Sequence, residues 1–147
     1  MQATTKKILI VDDDPSVRVM LTRVLVDEGY QLWAAANGVA ALAIAALAQV
    51  DLVLLDLNLP GQSGWDTFER LTAENPLLAV IIITARPNQL FTAMGAGVGA
   101  LLEKPLDFLK LLQTVGHLLA ESAEPRLARA AGNVSDFQYV PTQKGKP

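Results

Sequence analysis

The chain has 147 residues, of which 51% are hydrophobic and 18% are charged, and its formal net charge is -3. This size and composition predict one globular domain with a substantial core and exclude a disordered chain. The negative charge argues against nonspecific nucleic-acid binding, which needs a basic face, and the lack of cysteine excludes disulfides, thiolate catalysis and cysteine-ligated zinc.

The sequence also argues against a signal peptide and a membrane span. The apolar run that follows Lys6 and Lys7 is short and ends in aspartates, unlike the apolar core of a signal peptide. The longest stretch of low polarity, residues 38–50, is too short to cross a bilayer. We therefore expect a cytoplasmic protein without membrane insertion and without direct nucleic-acid binding.

Short apolar runs alternate with segments of helical periodicity. The runs predict strands at residues 8–11, 32–35, 52–55, 79–83 and 100–102. The first helical segment is expected to end at Gly29 and to bury one face, formed by Val17, Met20, Leu21, Val24 and Leu25. By the same spacing, Trp65, Phe68 and Phe108 are expected in the core and His117 on the surface.

Strands that are apolar throughout and alternate with helices predict a parallel sheet covered on both faces. In such a sheet, the binding crevice lies at the carboxyl ends of the strands. Polar residues follow four of the predicted strands there: Asp12 and Asp13, then Asp56, then Thr84, and finally Lys104. The second strand ends without a charge and is expected to lie away from the crevice.

Carboxylates, a hydroxyl and an ammonium group at one rim indicate a site for a hard divalent cation and an anion. Mg²⁺ prefers carboxylate and other oxygen ligands, and lysine and threonine can contact a phosphoryl group. Phosphoryl transfer requires mainly positioning and charge neutralisation, which such groups supply. Taken singly, the same residues are also explained as solvated loop acids, a strand-end threonine and a surface lysine.

Three consecutive aspartates need an explanation, because two unit charges about 4 Å apart near a protein surface repel by a few kcal/mol. A bound cation would offset the repulsion between Asp12 and Asp13. Asp14 precedes Pro15 and the first periodic helix, which is the arrangement of a helix N-cap with proline at the first helical position. We therefore assign Asp14 to capping and not to the cation.

Four stretches, "ILIVDDD", "LVLLDLNLPGQSG", "VIIITA" and "ALLEKPL", occur in an order and spacing that resemble the receiver domain of response regulators in two-component signalling. The resemblance covers residues 6–120. It implies the flavodoxin-like (βα)5 fold, a doubly wound parallel five-stranded sheet with strand order 2-1-3-4-5.

By this resemblance, Asp56 is the phosphoacceptor and receives a phosphoryl group from phosphohistidine. Asp12 and Asp13 would hold Mg²⁺ together with Asp56, and the backbone carbonyl of Asn58 would be a further ligand. The protein would then catalyse only its own phosphorylation and dephosphorylation and would not be an enzyme for other substrates.

The resemblance implies that Lys104, Thr84 and the backbone amide of Ala85 contact the phosphoryl group. Pro105 matches a position that follows a cis peptide bond, which proline permits. Gly64 matches a turn glycine at the end of the loop after Asp56.

Other positions of the resemblance concern switching and lifetime. Asn58 and Arg86 match positions that tune dephosphorylation. Leu101 stands where the family usually has an aromatic residue that moves together with the threonine corresponding to Thr84, so that coupling is open here. Three glycines at positions 95, 97 and 99 each lower helix stability by up to about 1 kcal/mol relative to alanine, so we expect the fourth helix to be short or mobile.

The expected organisation is an N-terminal extension at residues 1–5, the receiver domain at 6–120 and a flexible C-terminal tail at 121–147, too short for an output domain. Within the tail, "FQYV" is either a short extra strand or a docking peptide. A receiver that forms part of a larger hybrid kinase would have the same sequence features.

The leading hypothesis is a phosphoacceptor switch that takes phosphate from a histidine kinase or a histidine phosphotransfer protein. The partner would dock at the first helix near Val19 and Val26. The switch would then signal by protein contact or onward relay. One alternative is a degenerate receiver that binds proteins without phosphorylation. The other, a haloacid-dehalogenase-type phosphatase, needs a second aspartate two residues after its nucleophile, where this chain has Asn58.

Overall fold

The computed structural model describes residues 5–61, 63–133 and 137–142. The strands are β1 (Lys7–Val11), β2 (Gln31–Ala35), β3 (Leu52–Asp56), β4 (Ala79–Thr84), β5 (Ala100–Glu103) and β6 (Gln138–Val140). The helices are α1 (Pro15–Asp27), α2 (Gly38–Ala48), α3 (Gly64–Glu74), α4 (Leu90–Ala96), α5 (Phe108–Ala120) and α6 (Ala123–Ala130). The predicted extension at residues 1–5 lies outside the described residues except for Thr5, as do residues 134–136 and 143–147 of the predicted tail.

The strands form one six-stranded sheet with the order β2-β1-β3-β4-β5-β6, and every neighbouring pair is parallel. The flavodoxin-like order 2-1-3-4-5 is therefore confirmed, with one additional strand at the β5 edge. The chain leaves β1 toward β2 on one side and returns to β3 on the other. This reversal opens a crevice between the carboxyl ends of β1 and β3.

The core consists of two clusters, one on each face of the sheet. On one face, alternate strand residues such as Ile8, Leu54 and Ile81 pack against α1 and α5. On the other face, strand residues such as Leu9 and Val53 pack against α2, α3 and α4. Because both faces are covered, the central strands are apolar along their whole length, as the sequence predicts.

The predicted core residues differ in how deeply they lie. Phe68 is buried, whereas Trp65 and Phe108 are partly buried and pack against the clusters. The expectation for Met20 is wrong, since its side chain is 43% exposed. It precedes the buried Leu21 by about 100° around the helix, which turns it away from the face that contacts the sheet. His117 is exposed, as predicted.

The helix α4 has only seven residues and ends at Gly97, whose φ of 84° lies in the left-handed region. The prediction of a short fourth helix is therefore confirmed. A β-carbon at position 97 would also lie 3.0 Å from the carbonyl oxygen of Arg129 in α6. Glycine at this position thus both ends α4 and allows α6 to pack closely against it.

The segment after residue 120 departs from the expected flexible tail, because it contains α6 and β6. The Arg129 guanidinium is 4% exposed and donates to both carboxylate oxygens of Glu121 at 2.7 Å. Arg126 donates to the carbonyl oxygen of Leu118 at 2.8 Å. The stretch "FQYV" supplies β6, which pairs with β5. Charged side chains that cap α5 and a short edge strand together fix the path of this segment.

Candidate phosphoryl site

The carboxyl ends of four strands bring the predicted polar residues together. Asp12 directly follows β1, and Asp56 and Thr84 end β3 and β4; all three side chains are buried. Lys104 follows β5, and its Nζ lies 3.0 Å from Asp12 Oδ2 and 3.2 Å from Asp56 Oδ2. Residues that are far apart in the sequence thus form one cluster of opposite charges at the crevice.

The acidic part of this cluster consists of Asp12, Asp13 and Asp56. One carboxylate oxygen from each residue lies within 4.8 Å of the others. Two of these side chains are buried, whereas Asp13 is exposed at the open side of the crevice. Mg²⁺ prefers oxygen ligands and keeps several of its waters, so carboxylate oxygens that converge with one side open to water fit this ion.

The loop after β1 is held by its own polar groups. The Asp14 amide donates to Asp12 Oδ1 at 2.9 Å, and Arg18 Nη1 donates to the carbonyl oxygen of Asp12 at 2.7 Å. The side chain of Asp14 turns the other way and accepts a hydrogen bond from the amide of Ser16 at 2.8 Å. The predicted division is confirmed for Asp14, which caps α1 while Asp12 and Asp13 face the crevice.

The surroundings of Asp56 raise the pKa of its carboxyl group. Its burial raises the pKa of the carboxyl group, and the neighbouring charge of Asp12 raises it further. The amide of Asn58, which donates to Asp56 Oδ1 at 3.0 Å, and the ammonium of Lys104 act in the opposite direction but do not cancel the effect. The ionised form of Asp56 is therefore destabilised in the folded protein.

Lys104 stays charged in this setting. Burial lowers the pKa of its ammonium group, but the hydrogen bonds and charges of Asp12 and Asp56 outweigh burial and leave the pKa raised. The Lys104 amide also donates to the carbonyl oxygen of Thr84 at 2.8 Å, which ties the lysine to the end of β4. Its peptide bond to Pro105 is cis, as the resemblance implies.

The end of β4 presents a hydroxyl and a backbone amide. Thr84 Oγ1 accepts a hydrogen bond from the Arg86 amide at 2.8 Å, which leaves its own proton available for another acceptor. Ala85 and Arg86 are exposed in the loop that follows. Asn58 is likewise exposed, two residues after Asp56.

Comparison with known proteins identifies the family of this chain. A family model for the response regulator receiver domain matches residues 8–116. The chain belongs to this family. This receiver domain is 38% identical over 112 residues to sporulation initiation phosphotransferase F of Bacillus subtilis, an alignment that covers 75% of this chain and 90% of that protein. It is 37% identical over 118 residues to protein PilH of Pseudomonas aeruginosa, which covers 78% of this chain and 98% of that protein.

Solved structures show the same relationship. A receiver domain protein (CheY-like) from Methanospirillum hungatei superposes with a TM-score of 0.75 at 29% identity, covering 79% of this chain and 94% of that chain. The chemotaxis protein CheY4 of Vibrio cholerae superposes with a TM-score of 0.73 at 28% identity, covering 78% of this chain and 99% of that chain. The protein is thus a receiver domain of two-component signalling, a class that works with histidine kinases or phosphotransfer proteins.

Two predicted features of the receiver domain lie outside the acidic cluster. Leu101 is fully buried in β5 beside Ile82, its register partner in β4. Val19 and Val26 are 58% and 50% exposed on the outer side of α1. None of the helices in the described ranges is long and apolar enough to cross a lipid bilayer.

Three residues of this region were not singled out in the sequence. Arg18 holds the loop that carries Asp12, and Glu103 accepts a hydrogen bond from the Thr142 amide at 3.1 Å. Tyr139 lies near Glu103 on β6. Glu103 could have been noticed in the sequence because it directly precedes Lys104. Its contact with Thr142 could be found only from the folded structure.

Proposed function

We propose that this receiver domain is a phosphoacceptor switch that takes a phosphoryl group from phosphohistidine onto Asp56. The observation that carries the proposal is the position of the Asp56 carboxylate: it is buried at a strand end, 3.2 Å from the Lys104 ammonium and beside Asp12 and Asp13. A carboxylate whose ionised form is destabilised by burial, next to a fixed cation, is suited to form a covalent bond with an electrophilic phosphorus.

In the proposed step, a carboxylate oxygen of Asp56 attacks the phosphorus atom of phosphohistidine. The new bond joins oxygen to phosphorus, and the phosphorus–nitrogen bond breaks with its electron pair remaining on the imidazole, which takes up a proton from solvent. The products are an acyl phosphate on Asp56 and a neutral histidine. Because the transferred group carries negative charge throughout, the site's main task is to neutralise that charge.

Asp12, Asp13 and Asp56 would hold Mg²⁺, together with the backbone carbonyl of Asn58. When bound, this ion would supply positive charge for the phosphoryl oxygens in a site that otherwise concentrates carboxylates. The close approach of these carboxylate oxygens, all within 4.8 Å, supports the assignment.

The remaining positive and polar groups come from the chain itself. Lys104 exchanges its contacts with Asp12 and Asp56 for phosphoryl oxygens, while the Thr84 hydroxyl and the Ala85 amide donate hydrogen bonds to the same group. Asn58 and Arg86, which are exposed two residues after Asp56 and Thr84 respectively, tune the access of the water that hydrolyses the acyl phosphate.

The proposed partner is a histidine kinase or a histidine phosphotransfer protein that docks at α1. The exposed side chains of Val19 and Val26 support α1 as the docking surface, because this helix begins next to Asp12 and Asp13. The signal then passes by protein contact or by relay of the phosphoryl group, within the cytoplasm.

Intact-mass analysis after incubation with Mg²⁺ and acetyl phosphate tests the function. The wild-type protein is expected to gain one phosphoryl group, and Asp56→Asn none. Asp66→Asn, which changes an exposed carboxyl group in the first turn of α3, is the matched control and should be modified like the wild type. Absence of the adduct from folded wild-type protein that binds Mg²⁺ would refute the proposal.

A second candidate is a binding module that works without phosphorylation. The buried Leu101 favours it, because an aliphatic side chain at this position cannot take part in the movement of an aromatic ring. In that case the mass experiment yields no adduct, while the protein still binds its partner equally well as wild type and as Asp56→Asn.

A further inference from the structure

The C-terminal segment (residues 138–142) contacts the strand that carries the phosphate-binding lysine. Strand β6 pairs along β5, with Leu101 opposite Tyr139 and Leu102 opposite Val140. Beyond the strand, the Thr142 amide donates to Glu103 Oε1 at 3.1 Å. The segment therefore holds the side chain of the residue immediately before Lys104.

Glu103 is also the register partner of Thr84 in β4. Register partners on neighbouring strands have side chains on the same face of the sheet, with Cα atoms about 4.8 Å apart. A glutamate side chain can span this distance. Because Thr84 Oγ1 already accepts from the Arg86 amide, its proton is free to be donated, and a carboxylate is a strong acceptor for it.

We propose that the C-terminal segment positions the phosphoryl site by holding the Glu103 carboxylate toward the sheet edge and away from the Thr84 hydroxyl. If Glu103 is released, its carboxylate competes with the phosphoryl group for the Thr84 proton. It also adds a negative charge beside a group that is itself negatively charged. The inference rests on the proposed phosphoacceptor function and extends it, since it gives residues 138–142 a role in that reaction.

Tyr139 supports the same placement of Glu103. Burial raises the pKa of the Tyr139 hydroxyl, and a hydrogen bond and the negative charge of Glu103 raise it further. The Glu103 carboxylate thus lies beside Tyr139 and the Thr142 amide, on the β6 side of β5.

The test compares phosphorylation rates of full-length variants with acetyl phosphate and Mg²⁺. Because Tyr139 also contacts Glu103, the rates are compared in a Tyr139→Phe background. There, Thr142→Pro removes the remaining hydrogen bond to Glu103, and we expect a rate about three- to tenfold lower than that of Tyr139→Phe alone, the effect of losing one ordinary hydrogen bond. Thr142→Ala keeps the amide and should react like Tyr139→Phe alone. Adding Glu103→Ala to the Tyr139→Phe, Thr142→Pro protein should recover the Tyr139→Phe rate, because the competing carboxylate is gone.

This rescue separates positioning from a merely structural role. If the segment only stabilises the fold, Glu103→Ala and Thr142→Pro both lower the rate and their effects add, which overturns the inference. Equal rates with and without Thr142→Pro in the Tyr139→Phe background overturn it as well. In both results the wild type is phosphorylated, so the proposed function stands; a wild type that takes up no phosphoryl group overturns both.

A second measurement does not depend on phosphorylation. The chain has two tyrosines, so Tyr30→Phe leaves Tyr139 as the only tyrosine that ionises in an ultraviolet titration. In this background, Glu103→Ala is expected to lower the pKa of Tyr139. An unchanged pKa would show that Glu103 does not occupy the sheet edge and would contradict the inference.

Discussion

Gly64 offers a sharp test of how the fold positions Asp56. It is the first residue of α3, and its amide donates to the carbonyl oxygen of Leu57 at 3.0 Å. A β-carbon on Gly64 would lie 2.8 Å from the carbonyl oxygen of Asp56 and 2.9 Å from the carbonyl carbon of Leu57. Both are backbone atoms, which cannot turn aside as the end of a flexible side chain can. Gly64→Ala must therefore move the end of β3 relative to α3.

The expected cost follows from this clash. Inserting one methyl group into packed structure that cannot relax freely costs about 1–3 kcal/mol. In a protein of this size each kcal/mol corresponds to roughly 2–4 °C, so the midpoint of thermal unfolding should fall by about 2–12 °C. Because the displaced atoms include the backbone of Asp56, the phosphorylation rate with acetyl phosphate should fall as well.

Thermal and urea unfolding measure this effect, and Gly116→Ala provides the control. Gly116 lies inside α5, and a β-carbon there meets no heavy atom within 4 Å. Replacing a helical glycine by alanine in open space should stabilise the protein by about 0.5–1 kcal/mol. The two substitutions are thus expected to have opposite signs. A Gly64→Ala protein as stable as the wild type would refute the reasoning.

Three further predictions concern charged groups. Asp13→Asn should weaken Mg²⁺ binding about tenfold or more, measured by calorimetry, whereas Asp14→Asn keeps the N-cap and should leave it nearly unchanged; equal losses would contradict the division of roles. The raised pKa of Asp56 means that the folded state binds its proton more tightly than the unfolded state, so this group's contribution to stability falls as pH rises through the folded pKa. Without divalent ions, Asp56→Asn should therefore be more stable than wild type at neutral pH, with an advantage that shrinks in acid; a less stable variant at neutral pH would argue against the burial effect. Arg129→Met should lower the free energy of unfolding by about 3 kcal/mol, because Glu121 would stay buried beside only the more distant Arg126; a loss within 0.5 kcal/mol, the usual range for exposed substitutions, would show that α6 is not docked on α5.

The positions of the site residues could be predicted because a parallel sheet converts sequence order into spatial proximity. Asp12, Asp56, Thr84 and Lys104 each follow an apolar run, and parallel strands place all such positions at one edge. The role of Asp14 could also be predicted, since a cap depends only on the residues that follow it. These inferences need local pattern and topology but no knowledge of side-chain packing.

The elements after residue 120, α6 and β6, could not be predicted in the same way. Strand β6 has three residues, too few for a periodic pattern, and its place in the sheet depends on hydrogen bonds to β5. For α6 there was a partial signal, because Ser122 precedes a first turn that contains Glu124 and Pro125. The pairing of Arg129 with Glu121 is a property of the folded chain, as is the position of Glu103 between Thr84 and Thr142.

The arrangement of charged side chains at the crevice favours the binding of an incoming cation. Three carboxylates lie close together, and Lys104 is the ammonium group that contacts two of them, so the cluster keeps a net negative charge. A bound cation would relieve this repulsion, and Lys104 could then contact a phosphoryl group without leaving Asp12 uncompensated. Cation binding and phosphorylation are therefore expected to be thermodynamically coupled, because each removes an electrostatic cost of the other. We expect Lys104 to carry this coupling, since in the proposed reaction it exchanges its contacts with Asp12 and Asp56 for contacts with the phosphoryl group.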